Sequence, residues 1–238
     1  MRYIDFHTHI LPEIDDGAQS VDEAIAMLKT AYDCGATTVV LTPHYHSQIP
    51  ISEFLKKRAE KLDVLKQAMK QDGGSFPKLL AGAEVMLDCV LSQEEDLDEL
   101  CIEGTNLLLV ELPYANWNKW HADEVHNIVS KRNITPVLAH IERYITTLKD
   151  FDKLEPYIFA GANFQVNATP FLKRKGKRII RALAAEGLIC AIGSDCHDTK
   201  DRSADITKSL REFSKKFGEP FIEFMYQKTE RLLKDHTL

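Results

Sequence analysis

No stretch of this 238-residue sequence comes near the roughly 18 consecutive apolar residues that a bilayer-spanning helix needs, so membrane insertion is not expected. The N-terminus also lacks the apolar core of a signal peptide, because Asp5, His7 and His9 interrupt it at once. Closely paired cysteines are missing. The five present (Cys34, Cys89, Cys101, Cys190 and Cys196) form an odd set without Cys-x-x-Cys spacing, which argues against a disulfide framework and suits free thiols in a reducing cytoplasm. Positive charge is in deficit, with 30 Lys and Arg against 36 Asp and Glu and a net charge of −6. Nucleic-acid binders present a basic surface, so that class is disfavoured, although a local anion site is not. Linkers, low-complexity tracts and breaks in composition are absent as well. One cytoplasmic domain spanning residues 1–238 is expected.

What the sequence does contain is alternation. Short apolar runs at residues 3–6, 37–42, 78–83, 106–110, 134–139, 163–166 and 189–192 are mostly uninterrupted and rich in Val, Leu and Ile. That is the pattern of strands covered on both faces. Helical signals lie between them. Ser20 with Glu23 makes a capping box that opens one helix, and Gly35 stands where that helix stops. Ser52 opens a long amphipathic segment that reaches Gly73 and Gly74, "RIIRALAAEG" closes at Gly187, and Gly218 with Pro220 separates the last two helices. Seven strand–helix repeats fit either an open doubly wound sheet or a closed barrel.

The ends of the runs decide between these. The first run leads into "HTH" (His7, His9), the second into "TPH" (His44), the third into "GAE" (Glu84) and the fourth into "VELP" (Glu111). The fifth leads into "AHIER" (His140) and the last into "GSDCH" (Asp195, His197). In an open sheet the outer strand ends lie too far apart to cooperate, whereas in a (β/α) barrel all converge on one mouth. The expectation is an α/β barrel with a metal cluster at that mouth. Alternate residues of an extended strand share a face, so His7 can join His9, and Asp195 can join His197, on one ion. Imidazole and carboxylate without thiolate suit Mn, Fe or Zn. Either member of the pair Asp15–Asp16 can fold back onto the site.

Other histidines do not fit the series. His121, His126 and His236 fall in helical or tail positions and read as surface residues, and His46 is a weaker candidate than His44, which stands directly at a strand end. Cys196 and Arg202 have the Cys-x5-Arg spacing of cysteine-dependent phosphatases. Their loop has no glycine and carries Asp198 and Asp201, which would repel phosphate and disfavour a thiolate. "KRKGKR" at residues 173–178 reads as a solvated helix start or as a steering surface for an acidic or phosphorylated tail. Gln165 and Asn167 either orient phosphate or pack.

With HTH, TPH, GAE, AHIER and SDCH in order, and with "ILPEIDDG" and "PVLAHIERY" as the more specific stretches, the chain resembles the PHP (polymerase and histidinol phosphatase) superfamily nearly end to end. Within it, the resemblance is to the bacterial manganese-dependent protein-tyrosine phosphatases of CpsB/YwqE type, linked to capsule and exopolysaccharide synthesis. The resemblance implies a distorted seven-stranded TIM-like barrel, the PHP fold. It implies two or three divalent ions, manganese before iron or zinc, and a phosphotyrosine substrate on the tail of a tyrosine autokinase. Matched position by position, the implied ligands are His7, His9, Asp16, His44, Glu84, Glu111, His140, Asp195 and His197. Arg143 and Arg202 match arginines that contact phosphate. The loop "YANWNKWH" at residues 114–121, with Trp117 and Trp120, departs from the family pattern.

Four carboxylates and five neutral imidazoles give that shell a charge of −4, which two divalent ions neutralise and three overcompensate, the latter matching a phosphomonoester dianion. Ions so held lower the pKa of water, and the resulting hydroxide is the expected nucleophile. Arginine forks would hold the equatorial oxygens. A tyrosine phenol, with a pKa of about 10, leaves without strong acid assistance. Rival readings are a small-molecule phosphatase of histidinol-phosphatase type and, more remotely, a nuclease on the same scaffold.

Overall fold

The computed structural model describes residues 1–113 and 117–237; Tyr114, Ala115 and Asn116, which begin the tryptophan-bearing loop, lie outside the described residues. Strand β1 (Tyr3–Thr8) is buried at every position. Helix α1 (Val21–Asp33) starts where Ser20 Oγ accepts a hydrogen bond from Glu23 N at 3.2 Å. The Glu23 carboxylate accepts from Gln19 N at 2.9 Å, one residue earlier than a capping box requires, so half of the expected box forms. β2 (Ala36–Leu41) and β3 (His44–Tyr45) follow, then α2 (Ile51–Asp72). Its N-cap is Pro50, so Ser52 lies inside the first turn and is not the cap. The chain continues through β4 (Lys78–Ala81), β5 (Glu84–Met86), β6 (Leu107–Glu111), α3 (Lys119–Arg132) and β7 (Thr135–Leu138). It ends through α4 (Glu155–Phe159), β8 (Asn163–Asn167), α5 (Arg174–Ala185), β9 (Ile189–Gly193), α6 (Thr207–Phe217) and α7 (Pro220–Asp235).

Every strand pairing is parallel, as uninterrupted apolar strands flanked by helices demand. The strands form two sheets, in the orders β1-β2-β4 and β3-β5-β6-β7-β8-β9. The division arises because β3 and β5 are additional short strands that begin just past the ends of the second and third expected runs. Pro43, which has no N–H to give a ladder, separates β2 from β3, and Gly82 separates β4 from β5. Main-chain bonds persist through the break, with Gly82 N donating to Leu41 O (2.9 Å) and Glu84 N to Pro43 O (3.0 Å). Beyond β9, Asp195 N donates to His7 O (2.8 Å) and His9 N to Cys196 O (2.9 Å), tying that segment to the end of β1. Among the described residues, one continuous ladder is therefore not formed.

Two apolar clusters fill the interior. The smaller is drawn mainly from strands and holds Phe6, Val40, Leu107, Leu109, Val137 and Ala191. The larger lies between strands and helices and takes Leu28, Ile128, Leu183 and Phe213. On α3 the buried positions are His121, Glu124, Val125 and Ile128, an i, i+3, i+4, i+7 stripe. His121 is thus a core residue, only 2% exposed, which corrects the surface reading; His126 is exposed and His236 half-buried. Among the described residues, no helix is long and apolar enough to cross a membrane.

Candidate metal centre

The site begins at the end of β1, where the backbone of the two histidines is closely approached by two glycines. A Cβ at position 193 would lie 2.6 Å from His7 Cβ, and one at position 17 would lie 2.0 Å from His9 O. Only glycine fits at either place. Each imidazole is then fixed from behind. Nδ1 of His7 is 3.3 Å from Gln165 Oε1, and Nδ1 of His9 is 2.7 Å from Asp15 Oδ2. Neither oxygen can donate, so both Nδ1 atoms carry the proton and both Nε2 atoms present lone pairs.

These lone pairs meet other acceptors. The two Nε2 atoms are 3.1 Å apart. Glu84 Oε2 lies 3.0 Å from that of His7 and 3.2 Å from that of His9, and Asp195 Oδ1 lies 3.6 and 3.5 Å from them. Glu84 Oε2 is buried, yet makes no hydrogen bond among the described residues. Four acceptors converging on one buried point repel one another unless a cation or a proton stands between them. Beside this point, His44 Nδ1 lies 3.2 Å from Glu84 Oε2. His140 Nε2 lies 2.9 Å from Glu84 Oε1 and 3.4 Å from Glu111 Oε1. His197 donates from Nδ1 to the Asp195 carbonyl (3.0 Å), and its buried Nε2, without a hydrogen-bond partner among the described residues, faces Asp16 Oδ1 at 3.4 Å.

Four groups of donor atoms have the spacing to hold an ion, their atoms lying within 4.8 Å of one another: His9, Asp16, His44 and His197; His7, Glu84 and His140; His7, His9 and Asp195; and His44, Glu84 and Glu111. The nine residues matched from the sequence all fall in these groups. Asp15 does not; it is the partner of His9. His46 is exposed, with its ring stacked 5.9 Å from that of His44.

The electrostatics show the same demand for positive charge. Burial opposes a charge on His9, yet Asp15, Asp195 and Glu84 push its pKa well above the usual imidazole value. Burial also opposes a charge on His140, but Glu111 and Glu84 raise it to about 9. The carboxyls of Glu84 and Asp195 resist burial and stay well below the ordinary range, chiefly through His7. Without ions, protons occupy the place of cations. The donor set fits divalent metal.

The backbone is strained at two of these residues. His140 (φ 32°) and Asp195 (φ 55°) adopt left-handed conformations that β-carbon-bearing residues avoid, as happens where local geometry serves a site. Each is held by the rest of the cluster. Gln165 Oε1 accepts from His140 N at 2.7 Å, Gln165 Nε2 donates to Asn167 Oδ1 at 3.0 Å, and Asn167 Nδ2 donates to Asp195 Oδ2 at 2.8 Å. Gln165 and Asn167 therefore orient ligand-type residues rather than merely packing. Sequence spacing carries no sign of this, apart from two amides on one face of β8.

Arg143 and Arg202 both reach Asp195, the first through Nη2 to Oδ2 and the second through Nη2 to Oδ1 at 2.9 Å. Both line the mouth of a cavity of about 600 Å³ together with Asp16, His44, Glu84 and Glu111. Cys196 is fully buried, and burial, reinforced by Asp5, pushes its thiol far up. In the following loop Asp198 Oδ1 already accepts from the N–H groups of Lys200 (2.6 Å) and Asp201 (2.7 Å). A phosphate cradle would need those groups free.

The model of the family described as "Capsular polysaccharide synthesis, CpsB/CapC" matches residues 3–234. The tyrosine-protein phosphatase YwqE of Bacillus subtilis is 27% identical, over 99% of this chain and 93% of that protein. CapC of Staphylococcus aureus is 30% identical, over 99% and 90%. Among solved structures, the study of YwqE from Bacillus subtilis and CpsB from Streptococcus pneumoniae, described as metal-dependent tyrosine phosphatases, matches with a TM-score of 0.84 at 24% identity over 99% of this chain and 96% of that one. The histidinol phosphate phosphatase of Lactococcus lactis, solved with zinc, L-histidinol and phosphate, shares the fold at a TM-score of 0.61 and 13% identity, over 91% and 94%. With its family model matched over nearly its whole length, this chain belongs to the CpsB/CapC family of capsular polysaccharide synthesis.

Proposed function

We propose that this protein is a metal-dependent phosphomonoester hydrolase that removes phosphate from tyrosine in a protein substrate, the tail of a tyrosine autokinase of capsule or exopolysaccharide synthesis. The observation that carries this reading is the convergence of His7 Nε2, His9 Nε2, Glu84 Oε2 and Asp195 Oδ1 beside two arginines. The names of the relatives support the tyrosine specificity. In this reading the chain is one cytoplasmic domain whose strands approximate a distorted barrel. The strand-derived apolar cluster and the main-chain bonds from residues 195 and 196 to β1 support that description.

His7, His9, Asp16, His44, Glu84, Glu111, His140, Asp195 and His197 would hold two or three divalent ions, manganese being our choice. Such ions polarise phosphoryl oxygens and lower the pKa of water. The protein's own part is positioning. Asp15 and Gln165 fix the tautomers of His9 and His7. Arg143 and Arg202, pre-set on Asp195, would place their guanidinium groups against the equatorial phosphate oxygens and stabilise the charge that develops there. Burial of the ligands keeps the field of these groups strong.

The test is turnover of a phosphotyrosine peptide against histidinol phosphate and single-stranded DNA, before and after chelation and Mn²⁺ return. Preference for the peptide with strict metal dependence is expected. Faster turnover of histidinol phosphate would move the protein to the small-molecule class, and full activity in metal-free protein would overturn the reading.

A further inference from the structure

Helix α5 opens against the rules of helix electrostatics. Its first turn contains no acid, Lys173 at the N-cap makes no capping hydrogen bond, and Arg174, Lys175, Lys177 and Arg178 crowd the positive end of the helix dipole. Lys177 is compensated by Glu212 at 2.9 Å. Lys173, Arg174, Lys175, Arg178 and Arg181 are exposed, and among the described residues none of them is in an ion pair. In a chain of net charge −6, this concentration of unpaired cations has no rationale in helix capping or ion pairing.

Its position gives it one. A cavity of about 440 Å³ shares Arg143, Asp195 and Arg202 with the metal mouth and continues between Lys173, Lys175 and the apolar wall of Pro170 and Ile179. Lys175 also borders a second basin of about 580 Å³ formed with Arg174, Lys177, Arg178 and Arg181. The track thus runs from the phosphate-holding arginines outward along α5. Three acids, Glu142, Asp195 and Asp201, stand in the first cavity, and Asp195 is paired with both arginines. Glu142 is only 4% exposed, and its Oε1 accepts no hydrogen bond among the described residues. The exposed cationic rim, continuous with the arginines beside the metal site, fits an extended peptide whose side chains supply the opposite charge.

We propose that the Arg143/Arg202–Lys173/Lys175–Arg178 track binds the chain segment flanking the phosphotyrosine, and selects for anionic side chains there. This rests on the phosphotyrosine reading of the metal site. The anion is a carboxylate or a second phosphotyrosine, and the cations recognise the charge common to both.

The experiment uses the metal-loaded full chain and four phosphotyrosine peptides, with flanks of glutamate, of a second phosphotyrosine, of serine and of lysine. Wild type should favour the glutamate flank over serine by about tenfold in kcat/KM, mostly through KM, as several screened surface pairs together provide, and the preference should shrink with salt. A larger preference for the second phosphotyrosine than for glutamate would identify phosphate as the anion selected. In Lys173→Glu/Lys175→Glu and in Arg174→Glu/Arg178→Glu the ratio should fall to about one or invert. These substitutions complement the helix dipole, so the helix itself is retained, and a ratio of two peptides within one variant cancels any loss of folded protein. A wild-type ratio near one, or a ratio that survives both variants, overturns the proposal. If no peptide is hydrolysed, the phosphatase reading fails separately, and binding of the matching non-hydrolysable phosphonate peptides still measures the track. Tighter binding of single-stranded DNA or of anionic vesicles than of the acidic peptide would also overturn it.

Discussion

Asp15 Oδ2 lies 2.7 Å from His9 Nδ1, and the same oxygen accepts from His44 N at 3.0 Å. One buried carboxylate therefore fixes two members of the cluster while its neighbour Asp16, largely exposed, faces the ligand-type atoms of His44 and His197. Burial works against its charge, but His9 and the backbone N–H groups hold the Asp15 carboxyl down at about 2.

Asp15→Asn should keep the fold and lower metal affinity about 10- to 100-fold, as loss of a histidine-orienting carboxylate does elsewhere. Competition against a metal-buffering chelator measures this. Unchanged affinity would remove Asp15 from the support of the site.

Metal loading should be coupled to pH through His140, whose pKa in the metal-free protein is raised from 6.5 to about 9. Below that value a cation must displace its proton, so affinity should rise with pH, about tenfold per unit for one displaced proton, and level off above pH 9. Stability of the metal-free protein should move the other way. The stabilisation of the protonated imidazole is complete below pH 6.5 and is lost as pH rises through about 9. Melting curves of chelated protein across this window check the sign, and a rising melting temperature would contradict it.

Arg143→Ala and Arg202→Ala should leave metal content nearly intact and reduce kcat/KM roughly ten- to a hundredfold each, the loss of one or more charge-assisted hydrogen bonds. Arg→Lys at either place should restore little, since an ammonium cannot reproduce the fork. Loss of metal in parallel with activity would make these side chains supports of Asp195 instead.

Cys196→Ser should retain most activity, whereas His197→Ala and Asp195→Ala should lose nearly all of it. Thiol alkylation of the native protein should modify exposed Cys89 first and leave buried Cys101, Cys190 and Cys196 untouched until unfolding. An inactive Cys196→Ser protein with normal metal content would revive the cysteine mechanism.

The ligand-type residues were legible in the sequence because each stands at the end of an apolar run, and parallel strands bring such ends together whatever the details of pairing. The pairing itself was less legible. β3 and β5 contain two and three residues, too short for any periodicity, and they lie past the apolar runs that mark β2 and β4. Asp15, Gln165 and Asn167 escaped recognition in their orienting roles, since a side chain that holds a ligand from behind obeys no spacing rule. His121 was different. Its i, i+3, i+4, i+7 relation to Glu124, Val125 and Ile128 was present to be read, but polar residue types concealed a core stripe.

The left-handed backbone of His140 and Asp195 has a consequence for how the protein meets metal scarcity. Both residues lie at the roots of the segments that carry Arg143 and Arg202, and both are held in a costly conformation by bonds into the cluster. Without ions these bonds alone hold the strain, so the two rims should be the first parts of the site to open locally. Opening either rim would displace a ligand-type residue and an arginine in one event, so falling cation supply should lower metal affinity and phosphate binding in parallel.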